Sequence, residues 1–392
     1  MKYTRRTLTC LTPLLLAASL GLAGCGGGAS IAEPTPLSEL PSPNYTMQVL
    51  WHSNGGSGAG PYESGFQPAV AGDKVYVANR DGEVVALDVD NGRRLWRTHT
   101  DAQLISGPAA IDNTLLVGTR DGEVLALSAE DGAKRWMTDL ASEVIAAPAG
   151  TTDIVVARTV DGQVAAIDMR NGDRLWTIEG SVPNLTMRGT ASPIIEGDIV
   201  YVGMDSGKVQ ALNLATGEQR WEQTVAVPQG RSELDRIVDI DANPLIDGNS
   251  IYAVSAGDAL VSMARRSGGQ IRWKQPVSAV NNLAVGDGAL YATDNDGVVW
   301  RVGQATGDVR WKQEGLEYRK LSAPAVLNDH VLVGDFEGYL HWLSIDNGSI
   351  VGRGRPFGEA IRAQPVVVGN KAIVLGAEGE VAAVRFSDRS GR

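Results

Sequence analysis

Residues that could carry out chemistry are few in this chain and are not grouped in the sequence. The 392 residues include only four histidines, His52, His99, His330 and His341, and no two of them have the spacing of zinc ligands. The glycine-rich run at 55–60 is not followed by the Lys-Ser/Thr pair of a phosphate-binding loop. No serine stands in a nucleophile elbow. The sequence therefore predicts a protein that is not an enzyme and that holds neither a metal nor a cofactor.

The one cysteine with a predicted role is Cys25, at the end of the N-terminal leader. Residues 1–24 combine the basic residues Lys2, Arg5 and Arg6 with a short apolar stretch, which is the composition of a secretory signal peptide. The leader ends in Leu-Ala-Gly-Cys, which resembles the lipobox of bacterial lipoproteins, so we expect Cys25 to carry the lipid. An ordinary signal peptide cut nearby and a twin-arginine export signal are the alternatives.

Removal of the leader leaves an acidic domain without thiols. Cys10 leaves with the leader and Cys25 is the lipid site, so no cysteine remains for a disulfide, a nucleophile or a metal. The 35 basic and 46 acidic residues become 32 and 46, a net charge of about −14 that repels nucleic acid. Gly26 replaces the Asp that retains lipoproteins in the inner membrane, which implies the outer membrane, facing the periplasm. Residues 25–46, rich in Gly, Pro and Ser, are predicted to be a flexible tether.

One position recurs in a repeating unit of about 42 residues, the length of a four-stranded propeller blade. Each unit contains four short strand-like runs separated by Gly, Asp and Asn turns. The recurring residue is tryptophan in six units and glycine in the seventh: Trp96, Trp136, Trp176, Trp221, Trp273, Trp311 and Gly352. A tryptophan at a fixed place in each outer strand is predicted to wedge between neighbouring blades and to bury a large apolar area there.

The two ends of the chain predict how the propeller closes. Residues 361–386 supply three strands of an eighth unit, whereas 47–51 supply a strand ending in Trp51 with no unit before it. We expect this first strand to complete the last blade, because closure removes the open sheet edges. The predicted fold is all-β, an eight-bladed β-propeller of four-stranded antiparallel blades over 47–387, followed by a tail at 388–392. Closure with seven blades is the structural alternative.

Two adjacent connections between blades are long without being glycine-rich, whereas the stretch of 17 residues from Trp51 to Pro68 owes its extra length to the glycine-rich run at 55–60. From the recurring position to the proline that opens the next blade the distance is 12 or 13 residues in four units, but 17 after Trp176 and 23 after Trp221. In repeat proteins, longer loops collect on the binding face because packing does not forbid insertions there.

The content of these two loops is typical of a protein-binding surface. The first carries Leu185, Met187 and Arg188, and the second carries Asp239 and Asp241. Apolar side chains beside an arginine, with carboxylates one blade away, match the composition of interface hot spots. In the alternative interpretation the apolar pair packs under its own loop, and Arg188 pairs internally with one of the two aspartates.

The turn before the tryptophan follows the pattern Ala-x-Asp-x-x-[Asn/Thr]-Gly-x-x-x-Trp. Residues 86–96 and 166–176 match it fully, and 211–221 matches with Asn213 in the acidic place. Units five to seven keep little beyond the glycine and, in two of them, the tryptophan. The pattern resembles the tryptophan-docking repeat of pyrroloquinoline quinone enzymes. With the lipobox and the eight units, the whole chain is similar to the BamB family, the lipoproteins of the outer-membrane β-barrel assembly machinery.

This resemblance implies a non-catalytic, lipid-anchored scaffold that docks on the POTRA domains of the insertase BamA and assists nascent outer-membrane proteins. In that family the residues that bind BamA lie in a Leu-x-Leu-Arg and an Asp-x-Asp segment. These correspond here to Leu185, Met187 and Arg188, and to Asp239 and Asp241, with Met187 in place of the second Leu. The alternative is a periplasmic quinoprotein-like propeller that binds a small molecule or acts as an enzyme or sensor. This chain lacks the adjacent cysteine pair of those enzymes.

Overall fold

The described part of the chain is built almost entirely from short β-strands. The computed structural model describes residues 32–40, 45–59, 66–187, 189, 191–257 and 259–388. Thirty-two strands in this part form eight sheets of four strands each, and one 3-10 turn covers Leu234–Arg236. No helix among these residues has the length and the apolar character needed to cross a bilayer.

Each sheet is one blade, and its strands follow one another antiparallel from the inside outward. Blades 1 to 4 comprise β2–β5 (Ala69–Ala71, Lys74–Ala78, Glu83–Asp88, Arg94–His99), β6–β9 (Ala109–Ile111, Thr114–Gly118, Glu123–Ser128, Lys134–Asp139), β10–β13 (Ala149–Gly150, Ile154–Arg158, Val164–Asp168, Arg174–Ile178) and β14–β17 (Ile194–Glu196, Ile199–Gly203, Lys208–Asn213, Gln219–Thr224). Blades 5 to 7 comprise β18–β21 (Leu245–Asp247, Ser250–Ser255, Ala259–Ala264, Ile271–Gln275), β22–β25 (Ala284–Gly286, Ala289–Thr293, Val299–Gly303, Val309–Gln313) and β26–β29 (Ala325–Leu327, His330–Gly334, Leu340–Ser344, Ile350–Gly354). The first strands contact one another in five of the eight pairs of neighbouring blades, including blades 1 and 8.

Blade 8 is assembled from both ends of the chain. Its three inner strands are β30 (Val366–Val368), β31 (Lys371–Leu375) and β32 (Glu380–Asp388), and its outer strand is β1 (Tyr45–Asn54). Strand β1 pairs with β32 from Tyr45↔Asp388 to Asn54↔Glu380. The predicted eight-bladed propeller, closed by the N-terminal strand, is therefore confirmed, and the seven-bladed alternative is wrong.

The N-terminal boundary differs from the predicted one. Strand β1 begins at Tyr45 instead of residue 47, and β32 ends at Asp388 instead of 387. Residues 34–38, predicted to be part of a flexible tether, contact the propeller instead, and the compact unit formed by the propeller begins at Pro34. Proline restricts the backbone of this segment, so that ordering it costs less conformational entropy than a Gly/Ser composition would suggest.

The apolar core consists of the layers between neighbouring blades. The second and third strands of each blade are almost completely buried, as in β7 (Thr114–Gly118), because both of their faces are covered by adjacent sheets. This double burial explains why these strands read as continuous Val, Ile, Leu and Ala runs. The outer strands alternate between covered and solvent-facing side chains.

Each outer-strand tryptophan lies on the turn glycine of the next blade. Gly217 has φ +74°, and a Cβ built on it would come within 2.8 Å of the Trp176 ring. The indole N–H of Trp176 donates to the Leu214 carbonyl at 2.9 Å. The glycine thus serves both the left-handed turn and the space for the ring. The same ring-to-glycine contact joins six further pairs: Trp51–Gly92, Trp96–Gly132, Trp136–Gly172, Trp221–Gly269, Trp273–Gly307 and Trp311–Gly348.

The seam between blades 7 and 8 is built differently. Gly352 stands where the other blades have tryptophan, and a Cβ there would come within 2.4 Å of Phe386. Phe386 stacks between Trp342 and Tyr45, with ring centroids 4.7 Å apart on each side. Trp342, on the third strand of blade 7, is completely buried. The aromatic stack therefore consists of residues from the third strands of both blades and of Tyr45 from the outer strand of blade 8.

Candidate protein-interaction site

The two long connections lie on the same face of the propeller. Strand direction alternates within each blade, so every connection from an outer strand to the next blade leaves from one face, which we call the loop face. The first long connection, residues 179–193, joins β13 to β14, and the second, residues 225–244, joins β17 to β18. They are neighbours because blades 3, 4 and 5 follow one another around the ring.

The first connection presents apolar side chains to solvent. Leu185 is 42% exposed and Met187 is 52% exposed. Arg188, the third residue predicted from this loop, lies outside the described residues, as does the predicted lipid site Cys25. Exposed, adjacent large apolar side chains on a loop are a feature of protein-binding surfaces.

The two aspartates of the second connection lie underneath the first connection. Asp239 is 1% exposed and Asp241 is 6% exposed. The carboxylate of Asp239 accepts a hydrogen bond from the backbone N–H of Met187. The structure therefore brings the two predicted segments together, with the apolar residues outermost and the carboxylates beneath them.

Asp239 and Asp241 belong to a buried cluster that also contains Arg158 of blade 3 and Asp205 of blade 4. Asp205 forms an ion pair with Arg158, and both side chains are 3% exposed. One carboxylate oxygen each of Asp205, Asp239 and Asp241 lie within 4.8 Å of one another. Like charges at this distance repel, and Arg158 offsets part of that repulsion. The carboxylates have the oxygen chemistry of a cation site, but the guanidinium already supplies positive charge beside them.

Burial sets the protonation of the cluster. Burial, together with a smaller effect of the neighbouring Asp205 carboxylate, raises the pKa of Asp239 to about 6, against the hydrogen bond from the Met187 N–H. A carboxyl whose pKa lies near 6 changes its charge in mildly acidic solution. The contact that orients Met187 is therefore sensitive to pH.

Gly189 makes the close approach of the two connections possible. A Cβ at this position would lie 2.5 Å from an oxygen of Asp205 and 2.7 Å from an oxygen of Asp241. A glycine two residues after Met187 thus lets the loop backbone approach the carboxylates closely. Sequence reasoning missed this residue, because a glycine in a loop is usually explained by a turn.

The second connection adds two exposed apolar residues that sequence reasoning also missed. Val227 is 60% exposed, and Leu234, in the 3-10 turn, is 72% exposed. Ser232 and Asp235 exchange hydrogen bonds between side chain and backbone at 3.1 Å in both directions, which fixes this turn. The signal was available, since Leu234 is an isolated apolar residue in a polar loop. We call Leu185, Met187, Val227 and Leu234 the apolar loop patch.

Comparison with known proteins places the chain in a family. The family model described as outer membrane protein assembly factor BamB matches residues 45–105 and 80–313. The chain belongs to the BamB family. Two relatives named outer membrane protein assembly factor BamB cover almost its full length. That of Alkalilimnicola ehrlichii is 43% identical over 385 residues (98% of both chains), and that of Pseudomonas aeruginosa is 42% identical over 371 residues (94% of this chain and 97% of the relative).

Solved structures agree with this assignment. The crystal structure of BamB from Moraxella catarrhalis superposes with a TM-score of 0.79 at 26% identity, covering 87% of this chain and 100% of that one. A europium-containing methanol dehydrogenase superposes with a TM-score of 0.70 at 14% identity, covering 86% and 93%. The second likeness is one of fold alone. The resemblance to the repeat of quinone enzymes thus reflects shared blade architecture, and the BamB family is confirmed.

Proposed function

We propose that this BamB-family chain is a non-catalytic assembly factor for outer-membrane β-barrel proteins. A lipid on Cys25 anchors it to the periplasmic side of the outer membrane, and its loop face docks on the POTRA domains of BamA. Nascent outer-membrane proteins are the clients of the resulting complex. The names of the relatives, outer membrane protein assembly factors, support this function over a quinoprotein-like enzyme or sensor.

The main support for the proposal is that exposed apolar residues lie on a loop whose backbone is hydrogen-bonded to a buried carboxylate. Leu185 and Met187 are exposed, yet the backbone of Met187 is held by the buried Asp239. A loop whose backbone is already held loses less conformational entropy on binding, so the area that it buries contributes more to affinity. In this arrangement the partner contacts Leu185, Met187 and the neighbouring Arg188, whereas Asp239 and Asp241 act by positioning the loop.

Val227 and Leu234 extend the proposed contact towards blade 5. Both belong to the second connection and are more exposed than the predicted pair. An interface built from several apolar anchors matches the usual arrangement, in which a few residues near the centre supply most of the binding energy. We therefore assign these two residues to the same BamA-binding surface.

The proposal is tested by the affinity of the purified mature protein for the purified periplasmic region of BamA. The double variant Leu185→Ser/Met187→Ser should bind about 30-fold more weakly, which corresponds to about 2 kcal/mol for the loss of hot-spot side chains. Leu175→Ser is the matched control, because Leu175 is 47% exposed on the outer strand of blade 3, away from the loop face. Equal affinity of the double variant and the wild type would move the docking site elsewhere on the propeller.

A further inference from the structure

Residues 34–38, just before the propeller, are held by hydrogen bonds at two points. The Thr35 N–H donates to the Glu317 carbonyl at 3.0 Å, and Arg319 Nη1 donates to the Thr35 carbonyl at 3.2 Å. Arg353 Nη1 donates to the Ser38 carbonyl at 3.2 Å. Both backbone groups of Thr35 are thus satisfied by the propeller, as they would be in an added strand.

Apolar contact accompanies these hydrogen bonds. Leu37 is half-buried and packs against the core cluster of blades 6 and 7, which includes Leu316 and Leu321. Pro34 and Pro36 flank Thr35 and are both exposed. Proline restricts the backbone and has no N–H to leave unsatisfied, so that docking costs little entropy.

The two arginines that bind the segment, Arg319 and Arg353, are themselves held by other side chains of blade 7. Arg319 is 3% exposed, its Nε donates to Asp335 at 2.9 Å, and its Nη2 also contacts Glu337. His341, completely buried, lies 2.9 Å from Asp335, and Arg353 Nε lies 3.2 Å from Nδ1 of His341. Because a guanidinium can only donate, Nδ1 accepts and the proton of the imidazole lies on Nε2, facing Asp335. This network fixes the guanidinium groups of Arg319 and Arg353, so that the Nη1 atom of each is positioned to donate to the segment.

We infer that residues 34–38 form a docked strap, for which the rim between blades 6 and 7 provides a dedicated site. The occupant is a segment of this chain, Pro-Thr-Pro-Leu-Ser, in which the carbonyls of Thr35 and Ser38 accept hydrogen bonds from two arginines and Leu37 packs on an apolar cluster. The strap fixes the point at which the N-terminal segment leaves the propeller. That point lies on the loop face, because Glu317 and Arg319 belong to the connection between β25 and β26.

The strap shortens the reach of a lipid anchor on Cys25, a consequence that rests on the proposed lipidation. With the strap docked, residues 26–33 are the only linker, and eight extended residues span about 27 Å. Without it, residues 26–44 would form the linker and could span about 65 Å. The strap therefore keeps the propeller close to the membrane. The chain towards the anchor leaves the propeller on the loop face, which also carries the apolar loop patch.

Hydrogen–deuterium exchange of the full mature protein tests the strap directly. We expect the Thr35 amide to exchange at least tenfold more slowly than a free amide, and Leu37→Asp to abolish this protection while all eight blades keep theirs. Glu39→Gln is the matched control, because Glu39 is exposed and should leave Thr35 protected. Leu37 belongs to none of the strands of the eight blades, and protection of the blades in Leu37→Asp shows directly that the variant is folded.

Rapid exchange at Thr35 in the wild type, with the blades protected, would overturn the inference. So would protection at Thr35 that persists in Leu37→Asp. The measurement needs neither BamA nor a lipid on Cys25. Failure of the strap is therefore distinguishable from failure of the proposed function, which the affinity measurement addresses separately.

Discussion

The backbone N–H of Met187 donates to the carboxylate of Asp239, although the two residues are 52 positions apart in the chain. This bond connects the loop after blade 3 to the segment before blade 5 across the whole of blade 4. It ties the backbone of an exposed loop with two large apolar side chains to a buried carboxylate. It also separates two tasks, since Met187 faces solvent and Asp239 is buried.

Asp239→Asn should change how stability depends on pH. The folded protein binds a proton on Asp239 with a pKa of about 6, above the ordinary value near 4. This carboxyl therefore contributes stability that is fully present below pH 4 and is lost as the pH rises through 6. Asparagine can still accept from the Met187 N–H but cannot ionise.

We expect the free energy of unfolding of Asp239→Asn, relative to the wild type, to increase from pH 4 to pH 7 and then to level off. Urea denaturation followed at several pH values measures this difference. A difference that stays constant over the whole range would contradict the raised pKa.

Arg158→Met should destabilise the protein strongly. The substitution leaves Asp205 buried without its ion-pair partner, beside two further carboxylates. Breaking a buried pair from one side typically costs about 3–5 kcal/mol. The control is Arg170→Met, which removes an exposed partner of Asp168 on the same blade and should cost less than about 1 kcal/mol. Chemical denaturation at pH 7.5 compares the two, and equal losses would show that the cluster does not need Arg158.

Gly217→Ala should cost more than Gly197→Ala, although both glycines lie in blade 4 with left-handed φ values of +74° and +64°. Both variants meet backbone strain of about 1–2 kcal/mol. A Cβ at Gly217 also comes within 2.8 Å of the Trp176 ring, whereas at Gly197 it meets nothing within 4 Å. Overpacking adds about 1–3 kcal/mol, measured as a lower midpoint of denaturation. Equal midpoints would mean that the ring-to-glycine contact does not fix the blade spacing.

The repeat made most of the fold predictable from the sequence. Tryptophan spacing and turn glycines are local signals, and blade number and closure follow from counting them. The seam between blades 7 and 8 was not predictable in this way. Gly352 indicates that one outer strand has no tryptophan. The residues that stack at this seam, Phe386 and Trp342, lie on third strands, where the repeat pattern predicts no aromatic contact.

The two segments of the candidate site were predictable from the sequence, but which of their residues are buried was not. In Asp-Ile-Asp, alternation places Asp239 and Asp241 on one side of the backbone, yet nothing in the sequence says whether that side faces solvent. Burial depends on where the first connection lies, which is a contact between distant segments. The strap was missed for a similar reason, because the Gly/Pro/Ser composition around Leu37 is typical of linkers.

The most direct test of the central claim, that the loop face docks on BamA, is site-specific photo-crosslinking in living cells. A photoreactive residue at position 187 should crosslink to BamA, and one at position 175, on the outer strand of the same blade, should not. Crosslinking to BamA from position 175 but not from 187, with both variants folded and abundant, would contradict the proposed docking site.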